Sequence, residues 1–180
     1  MNLKEKKLSS KTLYSGKIIS LNLDEVELPN GKKAYREYVR HSGGASVLLV
    51  DNGKILLVKQ FRYAYNKEIY EIPAGKLNVN EDPKIAAARE LEEETGYRAE
   101  LVHMASIYPT PGYTDEIIHI YLAEKFEFVG QRLDEGEFLN CHFIDIKTVL
   151  KMIEDGEITD AKTIIAVYKY ILIKSCQQRV

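Results

Sequence analysis

Residues 82–96 restrict this chain more than any other stretch. Asp82 suits a helix N-cap, Pro83 the first helical position, and Gly96 the left-handed stop that ends a helix. Between them Ile85, Ala86, Ala87, Ala88 and Leu91 supply an apolar side for packing. Glu90, Glu93 and Glu94 stand at i, i+3 and i+4, so their carboxylates project from one face. Like charges at that spacing repel, by roughly a few tenths of a kcal/mol per pair in an isolated helix. An acidic face beside an alanine-rich one points to a cation, and carboxylate oxygens suit hard divalent ions such as Mg²⁺ or Mn²⁺. Acidic runs also occur on solvated faces, so the run by itself leaves both readings open.

The flanks extend the pattern. Gly75, five residues, Glu81, seven residues, Arg89-Glu90-Leu91, one residue, Glu93-Glu94, one residue, Gly96 and the bulky Tyr97 follow in order. This resembles the Nudix box at every fixed position, with tyrosine where the general pattern takes an aliphatic residue. The resemblance implies a hydrolase of nucleoside diphosphates linked to another moiety, dependent on Mg²⁺, with Mn²⁺ as the alternative ion. Outside the box, IPAGKL leads in, EETGY closes, and Pro111 lies fifteen residues beyond Gly96 within YPTPGYTDE. With SGKIISLNLDEVELPNG near the start and DAKTIIAVYKY near the end, these resemble the bacterial ADP-ribose pyrophosphatase branch over nearly the whole chain. The implied reaction is ADP-ribose plus water giving AMP and ribose 5-phosphate. Another nucleoside diphosphate sugar, such as GDP-mannose, is the alternative substrate. A non-catalytic ADP-ribose sensor is the alternative function, and the intact glutamates weigh against it. Members of this branch are typically homodimers whose N-terminal sheets contribute to the partner's substrate site.

Composition narrows the partners. A net charge of -2 provides no basic field, so bulk nucleic-acid binding is not expected. Cys141 and Cys176 lack a metal-ligand spacing and read as two reduced thiols. The basic N-terminus lacks the apolar core of a signal peptide, and no run approaches the length of a membrane span. A cytoplasmic protein with no membrane partner is expected.

Along the chain, residues 1–10 read as a polar arm, residues 12–28 as a strand, and residues 33–40 as its return after Pro29-Asn30-Gly31. This hairpin, residues 1–42, is the expected N-terminal β subdomain and dimerisation element, and residues 43–180 the expected catalytic domain. Residues 45–50 and 54–61 form two apolar strands around Asp51-Asn52-Gly53. Further strands are expected at 68–72, 100–108, 117–125 and 139–144, with an acidic, turn-rich stretch at 129–136. Helices are expected at 147–154 and 160–175, the latter carrying Ile164, Ile165, Val167, Tyr168, Ile171 and Leu172 toward the core. The class is α+β, and the resemblance implies the Nudix fold, a mixed sheet between helices.

Site residues follow from the box. Glu90, Glu93 and Glu94 are the implied metal ligands, with the Ala74 carbonyl as an additional oxygen. Arg89 is expected to orient the carboxylates through bidentate hydrogen bonds, and Glu81 to hold the preceding loop. Relatives draw their base from a distant loop, and LDEGEF supplies Glu135 and Glu137. Glu137, next to the strand at 139–144, is the better anchored. Arg62 is a planar donor suited to a diphosphate. Arg36 and Arg40 are candidates for adenine stacking or phosphate binding across a dimer, Tyr113 for ring stacking, and Glu116 for the ribose hydroxyls. His103 and His119, with no serine or cysteine at a telling position, read as structural.

Overall fold

A computed structural model describes residues 2–177. The chain divides into two compact units, Met1–Gly43 with Tyr108–Ile117, and Gly44–Ile107 with Ile118–Val180.

The first unit is an antiparallel sheet in the order β1 (Lys6–Ser15), β2 (Ile19–Glu27), β3 (Lys33–His41). Ser15 pairs with Ser20 across the first turn, and Glu27 with Lys33 across the second. Two sequence expectations are corrected here. Lys6–Ser10 belongs to a strand rather than an arm, and Gly16-Lys17-Ile18 breaks the expected 12–28 strand into two. The reason is that every residue of β1 is exposed. With no buried side there is no apolar alternation to read, and only the backbone ladder to β2 defines the strand. Tyr108–Ile117, which falls inside the expected 43–180 stretch, packs on β3. The Val39 N–H donates to Tyr113 O at 2.7 Å and the Asp115 N–H to Val39 O at 3.2 Å.

The second unit is built on a seven-stranded sheet. Its main order is β10 (Leu139–Asp145), β5 (Lys54–Arg62), β4 (Gly44–Asp51), β9 (Ile118–Phe128), β8 (Tyr97–Ile107). β6 (Lys67–Glu71) pairs with β5, and β7 (Ala74–Lys76) with β4. β4 and β9 run parallel, and the other pairs are antiparallel. Asn52 and Gly53 both hold positive φ, the geometry a two-residue hairpin needs to match strand twist.

β4 is buried on both sides, which explains its unbroken apolar run. Ala45, Val47 and Leu49 join Leu56, Leu101 and Tyr121 in a cluster with Ala86, Ala87 and Leu91 of α1 (Pro83–Thr95). Leu48 joins Ile55, Leu57 and Ile120 in a second cluster, with Val149 and Met152 of α2 (Ile146–Glu154) and Ala166 and Val167 of α3 (Ala161–Gln177). Each fully buried aliphatic side chain in these layers contributes about 1.5–3 kcal/mol. A mixed sheet lies between helices, as expected.

The helices correct two readings of their faces. Ile85 is exposed, so α1 packs through Ala86, Ala87 and Leu91. In α3 the buried residues are Lys162, Thr163, Ala166 and Val167, while Ile165, Tyr168 and Leu172 are exposed rather than core-facing. Apolar residues occur all round α3, so periodicity alone did not choose its inner side.

Candidate active site

α1 begins and ends as its sequence dictates. Asp82 Oδ1 accepts the N–H groups of Lys84 and Ile85 at 2.8 and 3.3 Å, and Gly96 closes the helix at φ 76°. Packing Ala86, Ala87 and Leu91 against the sheet draws the acidic residues inward. Glu90 and Glu94 become buried and Glu93 half-buried. Gly75 leaves the space that the Glu90 carboxylate fills, because a Cβ there would overlap it.

Arg89 ties the cluster together. Its Nε and Nη2 donate to the two oxygens of Glu81 at 3.0 and 3.1 Å. Nη1 donates to Glu90 at 2.7 Å and to Glu93 at 2.9 Å. Glu81 also accepts the Asn78 N–H at 2.8 Å, bracing the loop before α1. Glu94 stands apart from Arg89 and accepts the Ala74 N–H at 3.0 Å. Burial, together with the charges of Glu90 and Glu137, pushes the Glu94 carboxyl up to about 8. Burial also raises Glu90, with Arg89 opposing the shift and Glu93 and Glu137 adding to it.

Glu137 is therefore within electrostatic reach of both buried glutamates. Glu137 follows a turn at Gly136, its N–H donating to Asp134 O at 3.0 Å. It lines a cleft with Gln60, Leu133 and Phe138. Arg62, at the end of β5, is held by Glu71, with Nε and Nη2 donating at 2.9 and 2.6 Å to one carboxylate oxygen. Its charge favours the ionised form of Glu94.

The remaining candidates lie in the first unit. Arg36 makes a two-pronged pair with Glu5 and donates to Tyr35 O. Arg40 pairs with Asp115 at 3.3 Å and sits over the Tyr38 ring at 5.4 Å. Glu116 lies 3.4 Å from His41 Nδ1, and Tyr113, three residues earlier in the chain, is exposed. Pairing of the 108–117 loop with β3 thus gathers Arg40, Tyr113 and Glu116, and leaves Arg36 with Glu5.

Two groupings went unread in the sequence. Ser106 Oγ lies 3.0 Å from His103 Nε2 and 2.8 Å from His119 Nδ1, so both histidines do have a serine partner. Ser106 faces His119 across the β8–β9 ladder beyond a register shift near Met104, and simple alternation would not place it there. The second grouping joins Glu71 to Asp160, Lys162 and Thr163 at the start of α3.

The acidic cluster suits a hard cation. Its donors are all oxygen, and Glu81, Glu90, Glu93 and Glu94 are faced by one bonded guanidinium, leaving surplus negative charge. Among the described residues, no three His, Cys, Asp or Glu side chains already stand in a metal-holding arrangement. Arg89 engages Glu90 and Glu93, and Glu94 is turned onto the Ala74 amide.

Residues 40–166 match the NUDIX domain, and residues 5–39 match the nucleoside diphosphate sugar hydrolase N-terminal domain. The chain belongs to the NUDIX family. It is 45% identical to an ADP-ribose pyrophosphatase of Bacillus subtilis (strain 168), covering 98% of this chain and 97% of that protein. It is 44% identical to a methanol dehydrogenase activator of Bacillus methanolicus, over 91% and 90% of the two chains. In structure it resembles an ADP compounds hydrolase at a TM-score of 0.86 over all of both chains, with 20% identity. That likeness concerns the NUDIX fold. No helix among the described residues is long and apolar enough to cross a membrane.

Proposed function

We propose that this NUDIX protein hydrolyses the pyrophosphate bond of ADP-ribose, giving AMP and ribose 5-phosphate. The full-length similarity to an ADP-ribose pyrophosphatase carries this reading, with the glutamates of the box intact on α1. Such hydrolysis requires the diphosphate charge to be neutralised, a water to be positioned and its proton removed. Glu90, Glu93 and Glu94, with the Ala74 carbonyl, would hold Mg²⁺, with Mn²⁺ as the alternative. A bound ion supplies charge neutralisation and lowers the pKa of water.

The protein's own groups do the rest. Arg89 aligns the carboxylates, and Arg62 donates to the diphosphate. Glu137 accepts the proton of the attacking water, a role supported by its electrostatic reach to Glu90 and Glu94, with Glu135 as the alternative. Arg36, Arg40, Tyr113 and Glu116 recognise the rest of the substrate. We assign the protein to the cytoplasm as a homodimer joined through its N-terminal sheet. Exposed Leu8, Leu13, Tyr14 and Tyr35 on that sheet support the pairing.

Product analysis with Mg²⁺, offering ADP-ribose and GDP-mannose side by side, tests the activity. AMP and ribose 5-phosphate from ADP-ribose are expected. Faster cleavage of GDP-mannose would keep the site and replace the substrate. Tight ADP-ribose binding without cleavage would make the protein a sensor. Sedimentation as a monomer at micromolar concentration would overturn the dimer.

A further inference from the structure

α3 opens with two polar residues, Lys162 and Thr163, whose partners lie 91 positions earlier in the chain. Lys162, 6% exposed, places Nζ 3.3 Å from Glu71 Oε1 and 3.0 Å from Asp160 Oδ1. Glu71 is 3% exposed and offers its other oxygen to Arg62 and, at 3.1 Å, to Gln60. Asp160 Oδ2 accepts the N–H and hydroxyl of Thr163 at 2.9 and 2.6 Å. Thr163 Oγ1 in turn accepts the Ile72 N–H at 2.9 Å, two residues before Ala74. One cluster therefore grips both the strand end that carries Arg62 and the segment that leads into the Ala74 turn.

A buried lysine in a helix face lined by alanine and valine is costly to desolvate, and its pairing with Glu71 and Asp160 is what offsets that cost. What the charge provides is geometry. With Lys162 on one oxygen, Glu71 turns the other toward Arg62 and fixes that guanidinium through Nε and Nη2. Nη1 is left without a protein partner among the described residues, as a donor for an anion. Two positive and two negative groups balance here, so the cluster has no charge surplus of its own to attract an ion.

We propose that Lys162 is a positioning residue for the hydrolysis, acting through Glu71 to hold Arg62 in register for the substrate diphosphate. The inference rests on the diphosphate hydrolysis proposed above. Without Lys162, Glu71 swings and Arg62 loses its fixed edge, so substrate binding weakens while the carboxylates of α1 keep their places.

The test is a double-mutant cycle on the full-length enzyme with Mg²⁺, using Lys162→Met, Arg62→Ala and the double variant. Lys162→Met is expected to raise KM about tenfold with kcat within about threefold, and to add nothing once Arg62 is gone. A KM unchanged in folded Lys162→Met, or a double variant whose kcat/KM falls by the product of the single losses, would overturn the proposal. General destabilisation would give that multiplicative result. If Lys162→Met does not fold, Lys162→Leu carries the cycle, since it likewise removes the donor to Glu71, and Lys162→Gln, which can still donate, is expected to keep KM near the wild-type value. An error in the substrate reading appears in the wild-type protein before any variant is made, and the cycle then runs on whichever nucleoside diphosphate sugar it cleaves.

Discussion

Two helices of the second unit bury charge in different ways. On α1, Glu90 and Glu94 are pressed inward beside an alanine-rich face, and the one guanidinium of Arg89 is shared among Glu81, Glu90 and Glu93. At the start of α3, Lys162 is buried equally well, but Lys162 and Arg62 are matched by Glu71 and Asp160. A cluster with surplus charge is strained until something neutralises it, while a balanced one is complete. The first is suited to binding and the second to holding.

Charge-removing variants separate the two. The largest effect is expected from Glu93→Gln, which should lower kcat by about 10²–10³-fold, the scale of losing one transition-state electrostatic contact. Steady-state rates with Mg²⁺ measure it, and more than a tenth of wild-type turnover would remove Glu93 from the site. Gly75→Ala comes next, at about 10²-fold in kcat, because its methyl group displaces the Glu90 carboxylate. Near-normal kinetics there would mean Glu90 has no fixed place in the reaction.

Stability should then move in opposite directions. Lys162→Met is expected to cost about 2 kcal/mol in urea unfolding, leaving Glu71 with Arg62 and Gln60 alone. Glu94→Gln, assayed at about pH 9 with chelator present, should leave stability unchanged or raise it by up to about 1 kcal/mol, since the wild-type carboxyl, pushed up to about 8, is ionised among like charges only at such a pH. Loss of stability in Glu94→Gln without metal would erase the distinction between the clusters. The smallest effect is expected from Leu172→Ser on the exposed side of α3, within about 0.5 kcal/mol.

The contrast also marks what could be read in advance. The ends of α1 and its acidic face were legible because the cap, the stop and the carboxylate spacing all obey rules spanning four residues or fewer. The apolar strands β4 and β5 were legible for a related reason, a local turn between two buried runs. β1 was not, since its exposed residues carry no pattern, and neither was the inner face of α3, whose apolar residues encircle it. Glu71 and Lys162 looked like ordinary charged positions in a strand and a helix.

From the amino-acid order alone came the helix, its aligned carboxylates, the alternating cores and the family resemblance. Only the tertiary structure decided that Ser106 would sit between two histidines, that the 108–117 loop would pair with β3, and that Lys162 would meet Glu71 from 91 residues away. Local rules act through bond geometry and leave a period in the sequence. A contact closed across a long loop depends on the whole sheet being in register, and nothing in either segment records it.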